Sequence, residues 1–139
     1  MAAYVFNVSK GTIIQRFNTS ATSFRAIIIR TDRSAAQLGV ATTITGMLAL
    51  GTTTKVTTTN ATPSIGTSTK SGTTTLTLDS PNIDFGVIAA GAATNFLVIY
   101  EDISSNADAT NVPLTLHDFV ITPDGSSVTA TVSDYFSVT

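Results

Sequence analysis

Apolar and polar positions alternate in short runs along most of this chain, the period-2 signature of strands with one face buried. Tyr4, Phe6 and Val8 alternate with Val5, Asn7 and Ser9, which predicts an N-terminal strand presenting Tyr4, Phe6 and Val8 on one side. Thr12 to Phe17 follows Gly11 as a second short strand. From Phe24 to Thr31 the pattern changes: Ile27, Ile28 and Ile29 stand together. A continuous apolar, β-branched run predicts a strand covered on both faces, by the core and by a neighbour. Asn95 to Glu101 (Asn-Phe-Leu-Val-Ile-Tyr-Glu) has the same character and is the expected central strand. Ile83, Phe85 and Val87 alternate with Asp84, Gly86 and Ile88, Leu114 to Ile121 follows Pro113, and Val128 to Val132 alternates into the last strand, before Tyr135 and Phe136.

Between these runs stand turn signals. Ser80-Pro81-Asn82 is one; Thr122-Pro123-Asp124-Gly125 is the strongest, because proline presets one torsion and glycine accepts a positive φ. The stretch from Asp32 to Gly51 predicts at most one short helix, capped by Thr42 or Thr43 and ending at Gly51, with Ser34 to Leu38 a helical turn before Gly39. Gly51 to Thr77 is a threonine-rich excursion holding three Thr triplets. Strands from Lys55 to Asn60 and from Thr73 to Asp79 are expected to flank its tip as a hairpin. The sum is seven to nine short strands in a single domain over residues 1–139. The expected fold class is all-β, either jelly-roll-like or a two-sheet antiparallel β-sandwich.

Composition sharpens this picture. Charged residues make up 12% of the chain, about half the usual share, while threonine fills 27 of 139 positions and the mean hydropathy is +0.31. A surface so poor in lysine and glutamate lacks the ordinary defence against association, and interface cores are depleted in charge in the same way. Covered surface in the working state is therefore expected. Candidate partner-interface residues are Ile27, Ile28 and Ile29, where the apolar excess is greatest, Tyr135 and Phe136 near the terminus, and Tyr4, Phe6 and Val8 of the alternating N-terminal strand. A net charge of −2 argues against nucleic acid as a partner. No apolar run reaches the roughly 18 residues a membrane helix needs, and the opening residues lack the pattern of a secretory leader, so no membrane partner is expected. Cysteine is absent, which removes disulfides and thiolate metal sites.

Catalytic constellations are not found. The single histidine, His117, neighbours Asp118, but adjacent strand residues face opposite ways and do not orient one another. Glu101 is the only glutamate, so no glutamate pair is available for glycoside hydrolysis. Gly86-Val-Ile-Ala-Ala-Gly91 begins like a phosphate loop and continues with Ala92-Ala93, where Lys-Ser or Lys-Thr is required. The acidic residues form no calcium loop. No enzyme activity, cofactor or metal is expected, and Arg16, Arg25, Arg30 and Arg33 are expected to pair with acidic groups on a partner.

Several segments bear a family resemblance. The opening from Ala3 to Gly11, the strand from Phe96 to Asp102, the run from Val112 to Ala130 and the aromatic close at Phe136 resemble small virion proteins of tailed bacteriophages. Such chains carry a strand ending in Tyr-Asp, a His-Asp-Phe strand and a Thr-Pro-Asp-Gly-Ser turn. The Thr-rich excursion departs from the pattern. The resemblance implies a capsid decoration, or cement, protein with a jelly-roll-like fold on the outer surface of the capsid. It would bind as a homodimer or homotrimer and clamp neighbouring major capsid protein subunits. It transfers no individual binding residue. Addition of the Tyr4 to Val8 strand to a partner's sheet edge is the corresponding expectation, with removal of Met1 to Ser9 leaving the domain folded. Two alternatives stand beside it: a tail or fibre component contacting the host receptor through the Thr-rich tip, and a small carbohydrate-binding module, which the lack of tryptophan disfavours.

Overall fold

In the computed structural model, residues 3–6, 23–57, 66–71, 75–103 and 107–138 are described, with the backbone alone at 3–5, 23, 66–71, 75–81 and 133–138. Eight strands and two short helices follow in the order β1 (Ala3–Val5), β2 (Ser23–Arg30), α1 (Ala35–Leu38), α2 (Ile44–Leu48), β3 (Thr54–Lys55), β4 (Gly66–Ser71), β5 (Thr75–Val87), β6 (Phe96–Asp102), β7 (Val112–Asp118) and β8 (Ser127–Val138). Every pairing is antiparallel. One sheet has the strand order β1-β7-β6-β2-β3, the other β4-β5-β8. The all-β, two-sheet antiparallel class read from the sequence is the fold found, and β6 is the middle strand of the larger sheet.

The two faces of the five-stranded sheet are both buried, over different partners. Phe24, Ala26 and Ile28 of β2, Leu97 and Ile99 of β6 and Leu114 of β7 pack with Ile83 and Phe85 of β5 and Ala130 and Val132 of β8, which is the core between the sheets. Ile27 and Ile29 of β2, Val98 and Tyr100 of β6 and Leu116 of β7 point the other way, under a second core completed by Phe6, Leu38, Ala41, Ile44 and Met47. The unbroken isoleucine run thus has a simple cause: neighbouring residues fill opposite cores, and the second cover is this chain's own helical layer.

Two helices form where the sequence reading allowed one. Ser34 and Gln37 make a reciprocal capping box that turns the expected single turn into α1: the Ser34 Oγ accepts from the Gln37 N–H, and the Ser34 N–H donates to Gln37 Oε1 at 2.9 Å. Thr43, one of the two expected caps, caps α2 by accepting from the Gly46 N–H at 3.0 Å. Leu38, Ile44 and Met47 are fully buried, so packing on the sheet stabilises helices too short to persist alone.

The hairpin expected between Lys55–Asn60 and Thr73–Asp79 is replaced by two other pairings. Lys55 pairs with Ile29 on β2, and β5 takes Gly66–Ser71 as its hairpin partner. Only residues 72–74 separate β4 from β5 in the chain, so this pairing closes fewer residues than the expected hairpin would, at lower entropic cost. The expected strand Thr12 to Phe17 lies outside the described residues.

Two bulges decide which side chains face where. On β5, Asp84 pairs with Thr129 and Val87 with Ser127, so Phe85 and Gly86 together face Val128. Gly86 takes φ +65°, the left-handed conformation such a bulge needs, and its N–H is held by Asp84 Oδ1 at 2.8 Å. Simple alternation would have buried Val87; the bulge exposes it and buries Ile88 instead. On β7, Ile99 pairs with Thr115 but Tyr100 pairs with Pro113, which leaves Leu114 as the extra residue.

Candidate interaction surface

Of the eight interface candidates read from the sequence, Phe6, Ile27, Ile28 and Ile29 have no exposed surface at all. They belong to this chain's own cores, and internal packing accounts for their apolarity. Val8 lies outside the described residues, as do the side chains of Tyr4, Tyr135 and Phe136. By backbone register Tyr4 pairs with Leu116 and Phe136 with Leu78. The N-terminal strand is the outer strand of the five-stranded sheet. Its three residues pair with β7, the Phe6 N–H continues the ladder to the Leu114 carbonyl at 3.0 Å, and the Phe6 ring fills the helix-covered core. Removing Met1 to Ser9 therefore takes out a core residue, contrary to the expectation of an expendable arm.

The described arginines are engaged within the chain rather than held out for a partner. Arg25 Nε lies 3.4 Å from Asp102 Oδ2, and Arg33 Nε lies 3.5 Å from Asp32 Oδ1. Arg30 donates to the carbonyls of Ala92 and Ala93 and so braces the link before β6. Arg16 lies outside the described residues. Lys55 reaches Asp108 Oδ2 at 2.7 Å, tying β3 to the β6–β7 connection.

His117 and Asp118 separate as strand geometry requires: His117 is buried and Asp118 exposed. By register His117 faces the same side as Leu97, the inter-sheet core, where its Nε2 sits 3.0 Å from Thr115 Oγ1. Burial lowers the imidazole pKa to about 4, against an opposing pull from the Asp118 charge. Such a ring is neutral at pH 7 and reaches no solvent. Among the described residues no group of three or more His, Asp or Glu side chains is placed to hold a metal ion.

Val120 and Val87 are the two most exposed large apolar side chains among the described residues, at 73% and 68%. Near both is a shallow open depression of about 370 Å³ with a mixed lining: Phe119, Ile121, Pro123 and Val128 on the apolar side, and Thr122, Asp124, Ser126, Ser127 and Thr129 on the polar side. Val120 lies between Phe119 and Ile121 in the chain, and Val87 pairs with Ser127, another residue of the lining. The strip Phe119–Pro123 that builds the depression is fixed by an extension of the β6–β7 ladder. The Phe119 N–H donates to Asn95 O at 3.0 Å, the Thr94 N–H to Ile121 O at 2.8 Å, and the Gly91 N–H to Pro123 O at 3.0 Å. Thr94, almost fully buried, adds its hydroxyl, which donates to Phe119 O at 2.6 Å. Sequence alternation marked Phe119 and Ile121 as strand residues. The bulge that turns Val87 out beside them left no such sign.

Comparison with protein-family models, with curated proteins and with solved structures returns no match.

Proposed function

We propose that this chain is a non-enzymatic structural protein of a tailed-phage virion. In this reading it decorates the outside of the capsid as a homo-oligomer and stabilises contacts between major capsid protein subunits. The observation that carries the reading is the pairing of a charge-poor chain with two highly exposed valines, Val87 and Val120, near a shallow depression of mixed polar and apolar lining. A surface anchored by backbone hydrogen bonds in this way suits repeated docking on a protein lattice. A modest contact at each of many equivalent places, with several made at once by an oligomer, gives retention by avidity. The resemblance of residues 3–11, 96–102 and 112–130 to small virion proteins supports the same reading.

Copy number tests it. Particles that carry the chain are purified, and the chain is quantified against the major shell protein. Hundreds of copies in a simple ratio to the shell subunit are expected. A handful of copies would transfer the chain to the tail or a fibre, and absence from the particle would end the virion reading.

A further inference from the structure

Asp124–Gly125 is the only Asp-Gly pair in the chain, and no Asn-Gly pair occurs. Asp-Gly is the acidic dipeptide most open to succinimide formation, because no side chain on the following residue shields its backbone nitrogen. Both residues are exposed, and a side chain at Gly125 would meet nothing within 4 Å, so the surroundings impose no steric screen either.

The local geometry opposes the reaction. Asp124 Oδ1 accepts from the Ser126 N–H at 3.0 Å and from the Ser126 hydroxyl at 2.5 Å. These bonds draw the carboxylate towards residue 126, in a turn closed by the Asp side chain itself. They also favour its charged form, and the Asp124 pKa is lowered by the Ser126 hydroxyl first and its N–H second. A carboxylate is the poorer electrophile. The backbone is held on both sides, by Gly91 N–H to Pro123 O at 3.0 Å and Ile88 N–H to Ser126 O at 3.2 Å.

We infer that Asp124–Gly125 is the chain's site of spontaneous isoaspartate formation, and that Ser126 is the positioning residue that retards it in the folded protein. In the reaction the Gly125 nitrogen attacks Asp124 Cγ, a C–N bond forms, the protonated carboxyl loses water, and a five-membered succinimide results. Hydrolysis returns one water and opens the ring at either carbonyl. Opening at the backbone carbonyl leaves the chain running through Cγ, with one extra methylene in the main chain between Pro123 and Ser126. The inference does not depend on the virion reading; it holds for this fold in any setting.

The test uses the full chain, aged at neutral pH and 37 °C, with isoaspartate located by peptide mapping. Wild type, Ser126→Ala and Ser126→Thr are compared, each shown folded by circular dichroism, beside wild type unfolded in urea. The expected result is slow formation in folded wild type and in Ser126→Thr. Ser126→Ala should react roughly tenfold faster, the scale of one lost hydrogen bond to a charged group, and the unfolded chain faster still, at 124–125 in each case. Equal rates in folded wild type and folded Ser126→Ala would overturn the protective role, and isoaspartate accumulating elsewhere in the chain would overturn the site.

Discussion

Leu114 and Leu116 are two residues apart on β7 yet fill opposite faces of the five-stranded sheet. Leu116 pairs with Val98 in the helix-covered core, whereas Leu114 is the bulged residue and turns into the core between the sheets. Each is almost fully buried, so Leu114→Ala and Leu116→Ala should each cost about 2–4 kcal/mol in urea unfolding. Because the cavities open in separate cores, the double variant should lose the sum of the two within about 0.5 kcal/mol. A larger coupling term would mean that the two cores behave as one.

His117 sets an acid limit on stability. The folded chain holds its imidazole at about 4, below the ordinary 6.5, so between these values the unfolded chain binds a proton that the folded chain does not. Stability is complete above pH 6.5 and falls as the pH drops through this window, by up to about 3 kcal/mol for a shift of this size. Urea unfolding at a series of pH values should show that slope, and His117→Gln should flatten it. An unchanged slope in the variant would place the proton uptake elsewhere.

Gly51 and Gly86 both adopt positive φ, but their surroundings differ. A Cβ on Gly51 would lie 2.1 Å from Asp32 Oδ1, the atom that accepts the Thr52 N–H at 2.9 Å, whereas a Cβ on Gly86 meets nothing within 4 Å. Gly86→Ala should therefore cost only the left-handed strain of about 1–2 kcal/mol. Gly51→Ala should cost more, since Asp32 must also give way. Thermal melts of the two variants rank them; equal costs would show that Asp32 moves aside freely.

Val87→Asp and Val120→Asp place charge on the exposed strip without entering either core. Their stability should stay within about 0.5 kcal/mol of wild type. If the strip is the shell contact, both should lose retention on particles lacking the native chain in a co-sedimentation assay. Full retention in both variants would remove the strip from the contact.

Legibility in the sequence followed burial. β2 and β6 were readable because strands buried on both faces must be continuously apolar. β4 was not: Gly-Thr-Ser-Thr-Lys-Ser contains no apolar residue, so its pairing with β5 left no hydrophobic trace. The bulges at Gly86 and Leu114 escaped for another reason, since period-2 reasoning assumes one residue per step and each bulge inserts an extra one. The slip at Gly86 moved Val87 to the surface. The largest misplacement, Ile27 to Ile29 as interface, arose because the helical layer over the sheet comes from a segment of weak periodicity. Its own apolar residues, Leu38, Ile44 and Met47, gave little notice that a second core existed.

β6 lies between β7 and β2 within its sheet and beneath a core on either face. Water therefore has no local route to its central amides. Leu97 to Ile99 should exchange hydrogen for deuterium only when the whole domain opens, which makes their exchange a direct gauge of global stability in solution or in any assembled state.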